Sequence, residues 1–303
     1  MLFEPDRLSL GLVLPMQSRQ QQKIDLSRQI ALAQKADRLG FSALWVRDVP
    51  LNSRDYPDPI GHSDPWVLLG ALAVSTSRIH LVTGAIVLPL RHPLHIAKAA
   101  LSMNDLSSGR FVLGLGSGDR PSEFALFGRD FDARKELFRI NWTHLAAALG
   151  ERGDVLDAEG IPQPMFELLP RLVASQVPML AVGSATQSLE WIARNAIGWA
   201  TYHRPFAAQR DRIALWRRAV AKTTDEFRSF SQAMALELVD DPDTPAEDIN
   251  LGYRLGRHAL VRILRELRGT DVHHVMFNLT DSPRPVEEVL DEIAAEVMPA
   301  IAG

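Results

Sequence analysis

The 303-residue sequence contains no cysteine, and this absence removes three classes of chemistry at once. A disulfide framework, a thiolate metal site and a cysteine nucleophile all require that residue. Redox chemistry in this chain would therefore need a bound cofactor. Absence of cysteine also fits a reducing compartment, so we expect a cytoplasmic location.

The sequence also lacks an excess of charge of either sign. It has 33 Lys and Arg residues against 37 Asp and Glu residues, which gives a formal net charge of −4. Nucleic acids and anionic membrane surfaces attract strongly basic proteins, so this balance predicts neither partner. Hydrophobic residues make up 46 % and charged residues 23 % of the chain, which is typical of a folded globular protein.

Long hydrophobic runs are missing as well. The segment Ile79–Leu90 is among the most apolar, but His80, Thr83 and Gly84 interrupt it, and it is shorter than the roughly 20 residues that span a bilayer. The amino terminus carries Glu4 before a short apolar run, whereas a secretory signal begins with basic residues. We therefore expect neither a membrane segment nor a targeting peptide.

The strongest positive signal is an alternation of short, β-branched apolar runs with longer segments of helical spacing. Eight such pairs follow one another, in the order that parallel sheets with crossover helices require. The predicted strands are Leu8–Leu14, Ala43–Arg47, Ile79–Val87, Phe111–Gly116, Pro178–Val182, Gly198–Tyr202, Met234–Val239 and His273–Leu279. The predicted helices are Lys23–Leu39, Pro65–Ser77, Pro93–Leu106, Lys135–Leu149, Ala185–Asn195, Ala207–Lys222, Arg254–Leu267 and Pro285–Met298. This order predicts the α/β class and a single (β/α)₈ TIM barrel that comprises residues 1–303 as one domain.

Residues outside these units are expected in loop insertions at the carboxyl-terminal face of the barrel. Arg152–Arg171 and Asp240–Asn250 contain several prolines, which predicts irregular excursions. Reactions in such barrels take place where strands end and βα loops begin. The residues directly after each predicted strand are therefore the candidates for chemistry.

Glycines cluster at the end of the fourth predicted strand, at Gly114, Gly116 and Gly118. A dinucleotide-binding fingerprint that starts at Gly114 would need a glycine at position 119, which is Asp119. Two interpretations remain open. The small residues let a flat ring approach the backbone, or they serve tight turns.

A glycine and a hydroxyl follow the fifth predicted strand at Gly183 and Ser184. Ser184 and Gln187 match the capping box S-x-x-Q, which predicts that a helix begins at Ala185. The unpaired N–H groups and the positive dipole end of such a helix suit a phosphate group. Helix capping alone explains the same residues, so both interpretations stand at this point.

The histidines form no recognisable metal-binding pattern. His92 and His95 lie at the start of a predicted helix, and no carboxylate joins them at the spacing of a metal site. His273 and His274 are neighbours in a predicted strand and face opposite ways, so they cannot share one site. We therefore predict no metal.

Two stretches are similar to one known family. Residues 78–128 read RIHLVTGAIVLPLRHPLHIAKAALSMNDLSSGRFVLGLGSGDRPSEFALFG, and residues 177–201 read VPMLAVGSATQSLEWIARNAIGWAT. They resemble the bacterial luciferase-like monooxygenase superfamily in a T-x-x-x-x-L-P-x-x-H-P turn, an L-S-x-G-R segment, and a phosphate-site strand and helix. The resemblance extends from Leu8 to about Met298 and implies a (β/α)₈ flavoprotein.

The resemblance implies a flavin site at these strand ends. In family members a backbone bulge after the third strand, often with a non-proline cis peptide, supports the flavin ring, and it corresponds to Gly84 and Ala85 here. The positions that match contacts to the ribityl chain and the phosphate group are Gly116, Ser117, Gly183, Ser184, Gln187 and Ser188. This match favours the phosphate-site interpretation of Gly183 and Ser184 over capping alone.

One position departs from the family pattern. Luciferases have a catalytic histidine directly after the second strand, and the matching residue here is Val49. Because valine cannot transfer a proton, an acid/base group would have to come from another strand end. The candidate catalytic residues are Asp48, Arg120, Tyr202 and His203. Structural alternatives stay open, namely an ion pair between Asp48 and Arg47, and a solvated surface position for Arg120 and Arg204.

The leading hypothesis is an FMN-dependent monooxygenase that takes reduced flavin from a separate flavin reductase and uses O₂ on a small organic substrate. The resemblance also implies an alternative, a deazaflavin-dependent dehydrogenase built on the same barrel. A third hypothesis, a flavin-binding protein without turnover, follows from Val49. Family members usually form dimers, and the predicted helices Pro65–Ser77 and Pro93–Leu106 contain few charges, so we expect a homodimer.

Overall fold

Eight parallel strands close into a barrel. The computed structural model of the chain describes residues 2–17, 23–58, 60–169 and 177–302. Neighbouring barrel strands pair in parallel, and the strand His274–Asn278 completes the circle because it pairs with both Ser9–Leu14 and Ser229–Leu238. The (β/α)₈ barrel predicted from the alternating sequence pattern is confirmed.

The strands fall into a closed barrel and a small extension. In chain order they are β1 (Ser9–Leu14), β2 (Ala43–Val46), β3 (His80–Thr83), β4 (Ile86–Val87), β5 (Phe111–Gly116), β6 (Met179–Val182), β7 (Gly198–Tyr202), β8 (Ser229–Leu238), β9 (Glu247–Ile249), β10 (Gly252–Leu255) and β11 (His274–Asn278). The two-residue strand β4 pairs with β5 beyond the end of β3, and β10 and β9 extend the sheet from β8.

Helices alternate with the barrel strands. They are α1 (Leu26–Leu39), α2 (Pro65–Ser75), α3 (Pro93–Leu106), α4 (Pro121–Leu126), α5 (Arg134–Leu149), α6 (Leu189–Asn195), α7 (Phe206–Thr223), α8 (Arg257–Arg268), α9 (Val286–Glu292) and α10 (Met298–Ala302). A 3₁₀ turn at Leu88–Leu90 follows β4, and a π-helical turn at Ile293–Val297 joins α9 to α10. Within the described ranges, no helix combines the length and the apolar composition needed to cross a membrane.

The strands separate two apolar layers. Leu44 and Phe230 belong to the layer between the strands and the helices, whereas Trp45 and Val82 belong to the layer inside the barrel. Successive residues of a strand point to opposite faces, so each strand contributes to both layers. The interior is thus a packed core, and a ligand has room at the ends of the barrel.

The helix after β6 begins later than the capping box predicts. The Ser184 hydroxyl accepts a hydrogen bond from the Thr186 N–H at 3.3 Å. Ala185 and Thr186 both have left-handed backbone angles, with φ of 46° and 53°, which a right-handed helix cannot include. The helix starts at Leu189 with Ser188 as its N-cap. The predicted first turn of this helix, and the capping box with it, is wrong.

The segment after β8 also differs from its prediction. Asp240–Asn250 is predicted as irregular, yet its last residues form β9, which pairs with β10 in an antiparallel hairpin. Gly252 permits this arrangement, because a Cβ there would lie 1.8 Å from the Ala235 carbonyl oxygen on β8. The helix predicted from Arg254 therefore starts at Arg257 instead.

Two smaller differences concern β8 and the loop before β6. The predicted strand begins at Met234, five residues after the observed start of β8 at Ser229. Ser231 and Gln232 are polar and do not resemble core residues in the sequence, but both are fully buried. In the predicted excursion Arg152–Arg171, both Pro170 and Arg171 lie outside the described residues. The other predicted strands and helices agree with the structure to within a few residues, apart from the third strand, which is divided.

Asp37 on α1 fixes the loop that leads into β3. Its carboxylate accepts hydrogen bonds from the backbone N–H groups of Ser77, Arg78 and Ile79 at 2.7, 3.0 and 2.8 Å. Burial by itself would raise the pKa of Asp37, but these hydrogen bonds favour the charged form and lower the pKa below its ordinary value. One carboxylate therefore sets where β3 begins.

Replacing Asp37 by Asn should lower the free energy of unfolding at neutral pH by about 1–3 kcal/mol, because an amide cannot accept all of these hydrogen bonds. Since the pKa of Asp37 is lower in the folded protein, its contribution is present at neutral pH and is lost as the pH falls below 3.8. Urea unfolding followed by circular dichroism, at neutral pH and near pH 3, measures both effects.

The matched control is Asp211→Asn on α7, where the aspartate is exposed. Its stability should stay within about 0.5 kcal/mol of wild type. A difference between wild type and Asp37→Asn that is equally large at both pH values would contradict the role given to the charge.

Candidate active site

A backbone bulge interrupts the third barrel strand at the carboxyl-terminal mouth of the barrel. β3 ends at Thr83, the Gly84–Ala85 peptide is cis, and the chain rejoins the sheet at Ile86. The cis peptide that the family resemblance implies at this position is confirmed. The strand predicted over Ile79–Val87 is therefore divided in two, and neither Gly84 nor Ala85 is fully buried.

Thr83 and Gly114 hold the near side of the bulge. The Thr83 hydroxyl donates to the Gly114 carbonyl oxygen at 2.8 Å and accepts from the Gly114 N–H at 2.7 Å. One side chain thus satisfies two backbone groups at the point where β3 leaves the sheet. A Cβ at Gly114 would lie 1.9 Å from the Thr83 carbonyl oxygen, so this approach requires glycine.

Gly116 brings three strand ends together. A Cβ at this position would lie 3.2 Å from the Ala85 Cβ and 3.8 Å from the Val182 carbonyl oxygen at the end of β6. The bulge, the end of β5 and the end of β6 therefore meet at one place, and the buried Ser117 follows directly. Close packing of the bulge on β5, rather than a tight turn, explains why Gly114 and Gly116 are glycines.

Asp48 and Arg91 hold the far side of the bulge. The Asp48 carboxylate accepts two hydrogen bonds from the Arg91 guanidinium, at 2.9 and 2.8 Å, and one from the Val87 N–H at 3.2 Å. The Asp48 side chain is 1 % exposed. The ion pair predicted between Asp48 and Arg47 is wrong in its partner, because Arg47 pairs with Asp58 at 2.9 Å. With both oxygens occupied, Asp48 positions the backbone and is poorly placed to exchange protons.

Trp45 lies beneath the bulge, inside the barrel. A Cβ at Gly84 would lie 2.8 Å from Trp45 Cε3, so the indole packs directly against that residue. The Trp45 indole N–H donates to Nε2 of His274 at 3.0 Å, and His274 Nδ1 is 2.7 Å from the Ser9 hydroxyl. His274 is completely buried, and burial lowers its pKa to about 3. The indole therefore rests on a neutral histidine.

Charged side chains converge on Asp58 beside the mouth. Asp58 lies 2.9 Å from Arg47, 3.2 Å from His62 and 3.8 Å from Arg120. Burial opposes the charge, but the hydrogen bond with His62 and the charge of Arg47 lower the pKa of Asp58 well below its ordinary range. Arg120 also donates to the Leu51 carbonyl oxygen at 3.0 Å. This predicted catalytic residue ties the loop after β2 to the start of α4.

Tyr202 and His203 lie on opposite sides of the end of β7. Tyr202 continues the inward-facing series that includes Ala200, and it is 55 % exposed at the mouth. His203 Nδ1 is 3.4 Å from the Gln232 amide nitrogen, and the Gln232 amide oxygen accepts a hydrogen bond from Gln209 of α7 on the helix side of the sheet. Burial on that side lowers the pKa of His203. The structure brings Tyr202 to the mouth, but it places the candidate His203 on the helix side of the sheet, away from the mouth.

The chain leaves β6 through a turn that carries the predicted phosphate contacts. Gly183 has a φ of 68°, and two of the next three residues are also left-handed. Ser184 and Ser188 are exposed at this turn. The Gln187 amide oxygen accepts from Arg139 at 3.0 Å, and its nitrogen donates to a backbone carbonyl of α5. Gln187 is therefore directed towards α5, and both serine hydroxyls are accessible.

Other parts of the barrel offer less to a catalytic role. Across the residues that the structure describes, no group of three His, Asp or Glu side chains could hold a metal ion. A cleft of about 430 Å³ lies where β1 and β11 begin, lined in part by Arg7, Arg265 and Asp271. That end of a parallel barrel contributes to stability rather than to chemistry.

The sequence alone does not point to four residues of the bulge and of the interior beneath it, namely Thr83, Arg91, Trp45 and His274. Thr83 and Arg91 lie within the family turn T-x-x-x-x-L-P-x-x-H-P, so the sequence pattern includes their positions. The pattern does not indicate what either side chain does. Trp45 and His274 are 229 positions apart. No local pattern connects residues at that separation.

Comparisons with known proteins agree on one family. A family model described as luciferase-like monooxygenase matches residues 8–248. The 4-hydroxyprotoasukamycin monooxygenase of Streptomyces nodosus subsp. asukaensis is 27 % identical over 281 residues, which cover 88 % of this chain and 72 % of that protein. The F420-dependent hydroxymycolic acid dehydrogenase of Mycobacterium tuberculosis is 38 % identical over 209 residues, 63 % of this chain and 54 % of that protein.

The fold is shared with solved structures. The monooxygenase RslO1 from Streptomyces bottropensis aligns with a TM-score of 0.77 over 96 % of this chain and 99 % of that chain, at 20 % identity. Identity at this level indicates a common fold alone. Against three uncharacterised mycobacterial proteins, 34 % identical over 140 residues, the chain spans about half of their length, 49 %.

Replacing Thr83 by Val keeps the shape of the side chain and removes the hydroxyl that binds both backbone groups of Gly114. Two buried polar groups lose their partner, so the free energy of unfolding should fall by about 1–3 kcal/mol. Thr83→Ser keeps the hydroxyl and is the matched control, with a smaller loss. Urea unfolding measures both variants, and equal stability of the two would contradict the bracing role of the hydroxyl.

Proposed function

The chain belongs to the luciferase-like monooxygenase family, and on that premise we propose that it is a flavin-dependent oxidoreductase. The proposed reaction is monooxygenation of a small organic substrate with O₂, using FMN that a separate flavin reductase delivers in reduced form. The observation that carries the proposal is the meeting of the Gly84–Ala85 bulge, Gly116 and the end of β6 at the mouth of the barrel.

The residues at the mouth fit a phosphorylated flavin. Ala85 and Gly116 form a surface without long side chains, on which a flat ring can lie close to the backbone. The turn from Gly183 to Ser188 combines left-handed backbone with accessible hydroxyls, which suits an anionic group. Gln187 holds the cationic Arg139 next to this turn. We therefore assign the ring, the ribityl chain and the phosphate to these positions: Gly84, Ala85, Gly116, Ser117, Gly183, Ser184, Gln187 and Ser188.

A reduced flavin, when bound, supplies the electrons for the reaction with O₂, and the protein supplies binding, orientation and exclusion of water. Thr83 and Asp48 keep the bulge in place on both sides. Tyr202, exposed at the mouth, is the side chain that we propose to hold or transfer a proton at the substrate. Arg120 is engaged with Leu51, so it would position a loop instead.

A deazaflavin-dependent dehydrogenase is the second candidate. The F420-dependent hydroxymycolic acid dehydrogenase is 38 % identical to this chain over the aligned segment, against 27 % for the 4-hydroxyprotoasukamycin monooxygenase. Hydride transfer to or from a deazaflavin would use the same ring site and would not require O₂. The two candidates therefore differ in their cofactor and in their dependence on oxygen.

Fluorescence titration of the purified protein with FMN and with F420 tests the proposal. FMN binding, with substrate-stimulated O₂ consumption in the presence of a flavin reductase and NADH, supports the monooxygenase. F420 binding without FMN binding supports the dehydrogenase. FMN binding in which all consumed O₂ appears as hydrogen peroxide supports a flavin-binding protein without turnover. Binding of neither cofactor contradicts the proposal.

Replacing Ser184 by Asp places a carboxylate against the proposed phosphate site. Repulsion between like charges should weaken FMN binding by about tenfold or more, equivalent to ~1.4 kcal/mol or more. The control is Ala221→Asp, which adds the same charge at an exposed position of α7 and should bind FMN as wild type does. Equal FMN affinity of the two variants would contradict the placement of the phosphate site at this turn.

We further propose that two copies of the chain associate through α2. This helix contains no charged residue, and Val67 and Val74 are 69 % and 71 % exposed. Residues seven positions apart lie on the same face of a helix. Large apolar side chains exposed on one face favour burial against a partner, and a homodimer is the partner expected in this family.

Sedimentation velocity should give about twice the monomer mass of 33.7 kDa for the wild-type protein. Val74→Arg should shift the protein to the monomer mass, because a charge cannot be buried in an apolar contact without a partner. Leu215→Arg, at an exposed position of α7 that is 50 % accessible, is the control and should remain dimeric. A monomeric wild type would overturn the dimer.

A further inference from the structure

A hydrogen-bonded series of side chains crosses the interior of the barrel below the bulge. Ser9 on β1, Trp45 on β2 and His274 on β11 are all buried. The Trp45 and His274 rings stack, with 5.7 Å between their centroids and 26° between their planes, and Phe3 packs edge-on against His274 at 6.0 Å. His274 takes no part in the proposed reaction, so its burial in the barrel interior requires another explanation.

The hydrogen bonds fix the position of the proton on His274. An indole N–H can only donate, so Nε2 of His274 must accept from Trp45 across 3.0 Å. A neutral imidazole then carries its proton on Nδ1, which donates to the Ser9 hydroxyl oxygen at 2.7 Å, and that hydroxyl donates to the His273 carbonyl oxygen at 3.1 Å. The Ser9 hydroxyl also lies 3.4 Å from a second acceptor, the Leu2 carbonyl oxygen. A second proton on His274 would break the bond to Trp45.

Glycines on two sides leave the rings little freedom to move. A Cβ at Gly11 would lie 2.6 Å from Nε2 of His274, and a Cβ at Gly84 would lie 2.8 Å from Cε3 of Trp45. The backbone of β1 therefore lies close to the imidazole, and the backbone of the bulge lies close to the indole. Any tilt of the indole would therefore displace the backbone at Gly84.

We propose that His274, as the neutral tautomer with its proton on Nδ1, is a positioning residue that holds the Trp45 indole against Gly84 and so sets the shape of the flavin ring site. This inference rests on the proposed function for the identity of the ligand. Within the protein it rests on contacts between the described residues alone. Burial, together with the charge of His80 acting in the same direction, lowers the pKa of His274 to about 3, so the ring stays neutral at neutral pH.

The tautomer can be tested on the protein without any ligand. Nitrogen-15 NMR of the labelled wild-type protein should show Nδ1 protonated and Nε2 unprotonated from neutral pH to near pH 5, with the signal assigned by its loss in His274→Gln. The Trp45 indole N–H should exchange slowly with solvent. A proton on Nε2, or a cationic ring at neutral pH, would overturn the proposal.

The effect on the ring site is tested by two variants with FMN as the probe. His274→Leu removes the acceptor for Trp45 and should weaken FMN binding by about tenfold, which corresponds to ~1.4 kcal/mol. His274→Gln offers an amide oxygen near the position of Nε2 and should recover most of that affinity. The visible circular dichroism of bound FMN, which reports the surroundings of the ring, should change in the Leu variant and return towards wild type in the Gln variant.

A third variant separates the ring site from the phosphate site. Ser184→Asp should weaken FMN binding while leaving the visible circular dichroism of the fraction still bound unchanged. The role of His274 would be overturned if the wild-type protein binds FMN and the folded His274→Leu variant has the same FMN affinity and the same spectrum. The proposed function would remain intact in that case. Wild type that binds neither FMN nor F420 would overturn the proposed function and the flavin part of this inference with it.

Discussion

The interruption of the third barrel strand at Gly84 and Ala85 is the constraint on which the candidate site depends. A strand that leaves its sheet gives up ladder hydrogen bonds, and buried backbone groups must then find other partners. Thr83 supplies both partners for Gly114, and Asp48 accepts from the Val87 N–H where the chain rejoins the sheet. Side chains around the bulge, rather than regular pairing, therefore maintain the backbone shape at the mouth.

The polar groups around the bulge show that burial and partners decide what a side chain can do. Asp48 has both oxygens bound and is shielded from water, so its charge serves to hold Arg91 and Val87 in place. His274 is equally enclosed, but burial keeps it neutral, and neutrality lets it accept from Trp45. Tyr202 differs because it is exposed. The proposal that Tyr202 transfers a proton follows from this contrast.

Much of the architecture is predictable because it depends on local sequence patterns. Alternating apolar runs and helical segments predict the barrel, and the bounds of Phe111–Gly116 and Pro93–Leu106 agree with the structure. The resemblance to the family, rather than the local pattern, implies the Gly84–Ala85 cis peptide that the structure contains. Local patterns fail where the backbone is irregular. The S-x-x-Q match at Ser184 predicts a helix that left-handed angles at the next two residues prevent.

The sequence by itself determines the order of strands and helices and, through its motifs, the family. Periodicity and short motifs depend on neighbouring residues, so they can be read along the chain. Only the tertiary structure decides that Asp48 meets Arg91 instead of Arg47, that His203 faces the helices, and that His274 supports Trp45. The reason is barrel closure. Pairing of β11 with β1, and of β1 with β2, brings together side chains that are far apart in sequence and removes them from water. Hydrogen bonds between such side chains distinguish one partner from another only when the side chains are both close together and shielded from water.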